Sequence, residues 1–324
     1  MIKFKEIRNK YVSLCCQGDL ISAYEYLCDL KNPGTSAAKL RDKVKRRFFS
    51  LNHRYSFKTG DPFLRRICRA YCEYITSVLT RKQSADAAEK VLLERLATIM
   101  GASGKPDSEK LESLISEKVG KKGFHFLGGK TSGLLGPYIY EKSEKKIIKV
   151  ALPDGSYNLP VFFLRGFLMR SWLSYATFDL AGTGGWAKKD GLYCVHKCYA
   201  KKMNTDDFQV SFLRHEAQHF SDYKKYPDLC QIDLEYRAKL VELIYWKKNR
   251  RLLWFASEAK NDRSQPHSFA SYQIITRLQK AIFPKSGKVE PKWEKVDYSL
   301  IRQQALELFN NHTAGLFKNS KGIL

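Results

Sequence analysis

A chain of 324 residues, 44% hydrophobic and 28% charged, has the length for one large domain or two smaller ones and the composition to bury a core, which excludes disorder over most of it. Its net charge of +24 is diffuse: residues 1–120 carry 23 Lys and Arg against 14 Asp and Glu, and residues 121–324 carry 34 against 19. Spread in this way, the charge favours solubility over a dedicated nucleic-acid surface, so nucleic acid is a possible but unfavoured partner, and no apolar run approaches the roughly 18–20 residues of a membrane span.

Residues 1–120 read as a helical domain. Apolar positions recur three and four apart in KFKEIRNKYVSLC, DLISAYEYLCDL, SAAKLRDKVKRRFF, PFLRRICRAYCEYITSVL and ADAAEKVLLERLATIM. Gly18-Asp19, Asn32-Pro33-Gly34, Gly60-Asp61-Pro62 and the stretch Gly101 to Pro106 separate them. Cys68 and Cys72, four apart, are expected on a buried helix face. The eight cysteines include no CxxC pair, and the start MIKFKEIRNK has no apolar leader. Reduced thiols in a cytoplasmic protein are therefore expected.

Near Gly123 the texture changes. FHFLGG, GLLGPYIYE, KKIIKVALP and LPVFFLRGF are short, aromatic or β-branched, and predict a strand meander. A helix-like SWLSYATFDL, a turn at Gly182 to Trp186 and a strand GLYCVHKCY follow, and from Asp206 the pattern is helical again. Strands and helices segregated along the chain predict α+β. Gly129-Lys130-Thr131 resembles the end of a phosphate-binding loop, but the position that needs the first Gly is Phe124 and no helix follows, so a glycine-rich hairpin is expected.

The stretch SFLRHEAQHFSDYKKYPDL carries the chemistry. His215, Glu216 and His219 match HExxH. Residues four apart share a helix face, so two imidazoles at that spacing can grip one zinc ion while Glu216 lies on the adjoining edge, within reach of an activated water. Val210, Leu213, Ala217 and Phe220 form an apolar stripe, and each histidine lies about 200° from its stripe neighbour, giving the helix a core face and a separate chemical face. Asp206 or Asp207 is the expected N-cap, and Pro227 closes the segment. A catalytic zinc needs a third protein ligand. Glu235, in the first turn of a next helix capped by Asp233, is the favoured candidate. Glu242, seven residues on, is a candidate ligand or an orienting partner. Otherwise Glu235 is a solvated charge paired with Lys239.

These residues resemble the signature of the zincin metallopeptidases of the gluzincin type: HExxH on one helix and a Glu on a following one. The resemblance spans roughly residues 123 to 283, and its sharp part is about twenty residues. It implies a zincin-like catalytic domain over residues 121–324, a Zn2+ cofactor held by His215, His219 and Glu235, and a peptide or protein substrate. It also implies a sheet ending in an edge strand that pairs with extended substrate, a position that the segment Gly191 to Tyr199 fits. Glu216 is then the general base, and a downstream donor to the oxyanion is expected, with His267 first and Tyr272 in reserve. Asp222 and Lys225 break the metzincin extension, and Lys239 stands where some gluzincins carry Asp. Cys194, His196 and Cys198 alternate on the expected strand and so share a face. They could then form a second metal group, or Cys198 could replace Glu235 as in thiol-ligated deformylases, although packing against the core is the favoured role. His53, His125 and His312 are assigned surface or structural roles. Two other functions share these features: a zinc amidohydrolase acting on a non-peptide substrate, and a non-enzymatic basic binding protein with a degenerate HExxH.

Overall fold

The structure, a computed structural model, describes residues 3–50, 55–102, 107–131, 133–284 and 292–318. The chain forms two compact units, one of Met1–Ser143 with Leu164–Gly182 and the other of Glu144–Phe163 with Thr183–Leu324. The division does not fall at the end of the helical segment. A long hairpin of residues 138–170 contributes its outer halves to the first unit and its turn to the second.

The first unit begins with α1 (Phe4–Cys16), α2 (Leu20–Cys28), α3 (Gly34–Val44), α4 (Pro62–Leu79), α5 (Ala85–Met100) and α6 (Ser108–Gly120). The caps follow from the sequence. The Asp61 carboxylate accepts from the N–H groups of Phe63 and Leu64 at 2.9 and 3.0 Å, and Pro62 supplies the fixed φ of a first turn. Ser84 caps α5 and Asp107 caps α6 in the same way. The three- and four-residue spacing of α4 buries Leu64, Ile67, Cys68, Tyr71, Cys72 and Ile75 along one side. Both thiols lie in the core as expected, with burial pushing Cys68 up to about 12 and Cys72 further. Then come β1 (His125–Leu127), the small pair β2 (Lys130–Thr131) and β3 (Leu134–Leu135), and the start of β4 (Tyr138–Leu152). The decoy glycines thus stand by a hairpin and not at a helix start. β1 runs antiparallel to β4, with Phe126 opposite Ile139. The end of β5 (Gly155–Arg170) leads into α7 (Ser171–Ala176), where the buried Tyr11 hydroxyl donates to Ala176 O at 2.7 Å and ties α1 to α7.

In the second unit the strand order is β4-β5-β7-β6, from β6 (Gly185–Lys188) and β7 (Gly191–Val195). The two-residue connection Pro153-Asp154 makes β4 and β5 an antiparallel hairpin. β7 is therefore interior, and the edge strand is β6. This corrects the expectation that Gly191 to Tyr199 lies at the edge. The strand also stops at Val195, and His196–Tyr199 form a short helix, α8. Cys194, His196 and Cys198 consequently do not alternate on one face. The rest is helical: α9 (Asp206–Gln209), α10 (Leu213–Lys225), α11 (Gln231–Tyr245), α12 (Arg250–Glu258), α13 (Pro266–Ile282) and α14 (Tyr298–Lys318).

The α+β expectation holds. Among the described residues no helix is long and apolar enough to cross a membrane.

Candidate metal centre

Helix α10 presents the motif as its periodicity requires. Leu213, Ala217 and Phe220 are buried in the core with Phe208, Tyr236, Leu240 and Val241, while Val210, also buried, lies before the helix begins. The start differs from expectation. Asp206 and Asp207 belong to the separate four-residue α9, Thr205 precedes it, and Phe212 stands before α10 with no side-chain cap. Asp207 is engaged instead by Lys202 at 3.0 Å.

Helix α11 packs on α10 and is buried on nearly every side from Ile232 to Ile244. A fully buried carboxylate or cation needs a partner, and α11 finds them on its neighbours. Arg237 Nε lies 3.0 Å from both oxygens of Asp222 on α10, which also accepts from Gln218 Nε2 at 2.9 Å. Asp233 meets His312 of α14 at 3.0 Å, and Lys239 pairs with Glu258 of α12. Two expectations fall here. Asp233 is not the cap, since Cys230 precedes the helix and Asp233 is drawn to His312. Lys239 does not neutralise Glu235, which is left facing α10.

That facing is the centre of the site. His215 Nε2 and His219 Nε2 are 3.1 Å apart, Glu235 Oε2 is 3.7 Å from the first, and Glu235 Oε1 is 3.5 Å from the second. One ligand atom from each residue falls within 4.8 Å of the others, a group that could hold a metal ion. Four ligands about 2.0–2.1 Å from a tetrahedral ion stand roughly 3.3 Å from one another, and these separations bracket that edge. Glu235 Oε2 is buried among imidazoles, with His267 Nδ1 at 2.8 Å and His215 Nε2 at 3.7 Å. The charges agree. Burial pushes the Glu235 carboxyl up, but His219, His267 and His215 outweigh it and hold it well below its ordinary value. Burial pushes His219 down, but Glu235 above all raises it to about 9. In effect the imidazolium supplies the positive charge that the carboxylate calls for.

The orientation of His215 is fixed from behind. Glu242 Oε1 lies 2.8 Å from His215 Nδ1. A carboxylate only accepts, so Nδ1 carries the proton and Nε2 turns its lone pair to the shared point. The other Glu242 oxygen is taken by Ser211 Oγ and Arg251 Nη2, each at 2.5 Å. Burial raises the Glu242 carboxyl, but Arg251 and His215 prevail and lower it to about 2. With both oxygens occupied, Glu242 is the orienting partner and not a member of the group.

Glu216 is half-buried beside the two imidazoles. Burial and then the charge of Glu235 push its carboxyl above the usual range, against the pull of His215 and His219. It accepts a bond from the backbone N–H of Ala187 on β6. Val195 N donates to Gly184 O at 2.8 Å, so alternation along the antiparallel pair turns the backbone of Gly185 and Ala187 away from β7. Gly185 permits this approach, because a Cβ there would stand 2.1 Å from the Phe212 ring and 2.5 Å from Tyr193 O.

His267, at the first turn of α13, brings Nδ1 to 2.8 Å from Glu235 Oε2 with its side chain 68% exposed. Tyr272 is half-buried and stacks loosely on Phe269, 6.1 Å between ring centroids. Cys198 is not in the metal-capable group, and Cys194 is buried in the core of the unit. His312 is structural, His125 stacks on Tyr140 at 5.0 Å, and His53 lies outside the described residues.

Sequence reasoning missed Ser211, Arg251 and Tyr223. Tyr223 continues the series of His215 and His219 by another four residues, and that spacing was a readable signal. Its ring lies nearly parallel to His219, at 17° and 6.2 Å between centroids, and burial and then Glu216 and Glu235 raise its phenol.

No protein-family model, curated protein or solved structure matches the chain.

Proposed function

We propose that the protein is a zinc-dependent hydrolase, a metallopeptidase of gluzincin-like type, with His215, His219 and Glu235 as ligands. The observation that supports this most is the convergence of two imidazole nitrogens and one buried carboxylate, 3.1 to 3.7 Å apart, on one point that could hold a metal ion. When bound, the ion supplies Lewis acidity that polarises a carbonyl and acidifies water. Glu216 takes the proton of the attacking water and passes it to the leaving amine, and its raised pKa suits both halves of that transfer. His267 holds Glu235 through Nδ1 and offers Nε2 to the developing oxyanion. An extended peptide is favoured as substrate because β6 is the sheet edge and turns the peptide groups of Gly185 and Ala187 outward beside Glu216.

The test is a pair of variants assayed for metal content and for cleavage of a peptide library. Glu216→Gln removes the base but no ligand, so it keeps stoichiometric zinc while turnover falls by roughly 10²–10⁴-fold. His215→Ala loses both. Full turnover in Glu216→Gln, or native protein free of metal after zinc loading, overturns the assignment.

A further inference from the structure

A cavity in the same unit, of about 610 Å³, lies where the beginning of α10, the end of α11 and the first turns of α14 meet. Its walls bring together three cations from three elements: Arg214, Lys247 and Arg302. Asp206 is the single carboxylate on that lining. No carboxylate lies within ion-pair distance of any of the three cations among the described residues, and the buried Nε of Arg214 has no hydrogen-bond partner. Two of the charges meet at Tyr245. The Arg214 guanidinium stacks over the Tyr245 ring at 4.6 Å, and both Arg214 and Arg302 oppose the effect of burial on the Tyr245 phenol. Trp246 adds a second aromatic surface.

Like charges gathered round a concavity without matching acids repel one another, and an arriving anion relieves that repulsion. Guanidinium forks and an ammonium group match phosphate oxygens, and the aromatic wall suits a planar group carried with them. We propose that this cavity is a binding site for a phosphate-bearing small molecule. It is separate from the metal group. Arg214 and His215 are neighbours in sequence, but successive residues on a helix point roughly 100° apart, and no member of the metal-capable group lines the cavity. The inference does not depend on the peptidase reading.

Inorganic pyrophosphate is the probe, titrated calorimetrically into the full-length protein before and after removal of metal by chelation. The expected result is saturable binding of equal affinity in both preparations. A Lys247→Glu, Arg302→Glu double variant should weaken it by at least roughly tenfold. Both side chains are exposed, so the fold should survive, as circular dichroism would verify. Arg302→Gln alone, which removes charge without reversing it, should give an intermediate loss. No heat signal at millimolar pyrophosphate, binding abolished by chelation, or equal affinity in the double variant would each overturn the proposal. So would a single-stranded oligonucleotide that binds where pyrophosphate fails and is lost in the double variant, because the cations would then be serving a nucleic-acid surface.

Discussion

The two units bury different chemistry. In the first, the core is closed by apolar side chains, thiols and tyrosines such as Tyr11, Cys68, Tyr71 and Cys72, and Arg170 is the one charged side chain among its buried residues as described. In the second, Asp222, Asp233, Glu235, Arg237, Lys239 and Glu242 are all buried. Each such ion forfeits several kcal/mol of hydration, which pairing only partly returns. Among the described residues, the first unit closes its core with one such ion, Arg170. In the second, the ions hold imidazoles and a carboxylate at set distances.

The contrast can be broken most forcefully at the Asp222–Arg237 pair, which locks α10 to α11 beneath the metal group. Arg237→Met keeps much of the volume but leaves Asp222 buried with Gln218 as its remaining partner. Loss of about 3–5 kcal/mol in urea unfolding is expected. A change below about 1 kcal/mol would mean that the pair is ornamental and that the apolar contacts of α11 suffice.

Glu242 sharpens the same contrast through pH. Its folded value of about 2 lies below the ordinary 4.5. A depressed carboxyl contributes its stability above the unfolded value, and that contribution is lost as pH falls from about 4.5 toward about 2. The stability gap between wild type and Glu242→Gln should therefore be widest near neutrality and close across that window. Thermal melts at intervals from pH 7 to pH 2.5 would measure it, and a gap that stays constant would show that the charge on Glu242 is not what is being lost. At neutral pH the variant should also bind zinc roughly 10–100-fold more weakly, because a neutral amide oxygen is a poorer acceptor than a carboxylate for the His215 Nδ1–H and leaves its Nε2 less basic.

How much of this was readable beforehand depended on the range of the interaction. HEAQH and its apolar stripe were legible because helical spacing alone places them, and Glu235 because two helices joined by a short turn must face each other. The helix caps of α10 and α11 were not. Asp233 was claimed by His312, 79 residues away, and a local rule cannot weigh that competitor. The charges of DLEYRAKLVELIYW look like a solvated face until Asp222, Arg251, Glu258 and His312 arrive from other helices. Strand order was hidden for a similar reason. β6 is four residues long and its start, Gly185-Trp186, reads as part of a turn, while GLYCVHKCY reads as one strand although the backbone turns helical at His196.

The smallest effect is the control that gives the others their meaning. Cys72 is 2% exposed in the first unit, and burial pushes its thiol far up, so it is neutral at both pH 7 and pH 4. Cys72→Ala removes one buried sulfur and leaves a small cavity, so a loss of about 1–2 kcal/mol is expected. The loss should be the same at pH 7 and at pH 4, because no proton is gained or released at that position on unfolding. Urea unfolding at the two pH values, followed by a signal specific to the first unit, is the measurement. A strongly pH-dependent loss would mean that the thiol carries charge in the core, and the distinction between an apolar unit and an ionic one would fail from the apolar side.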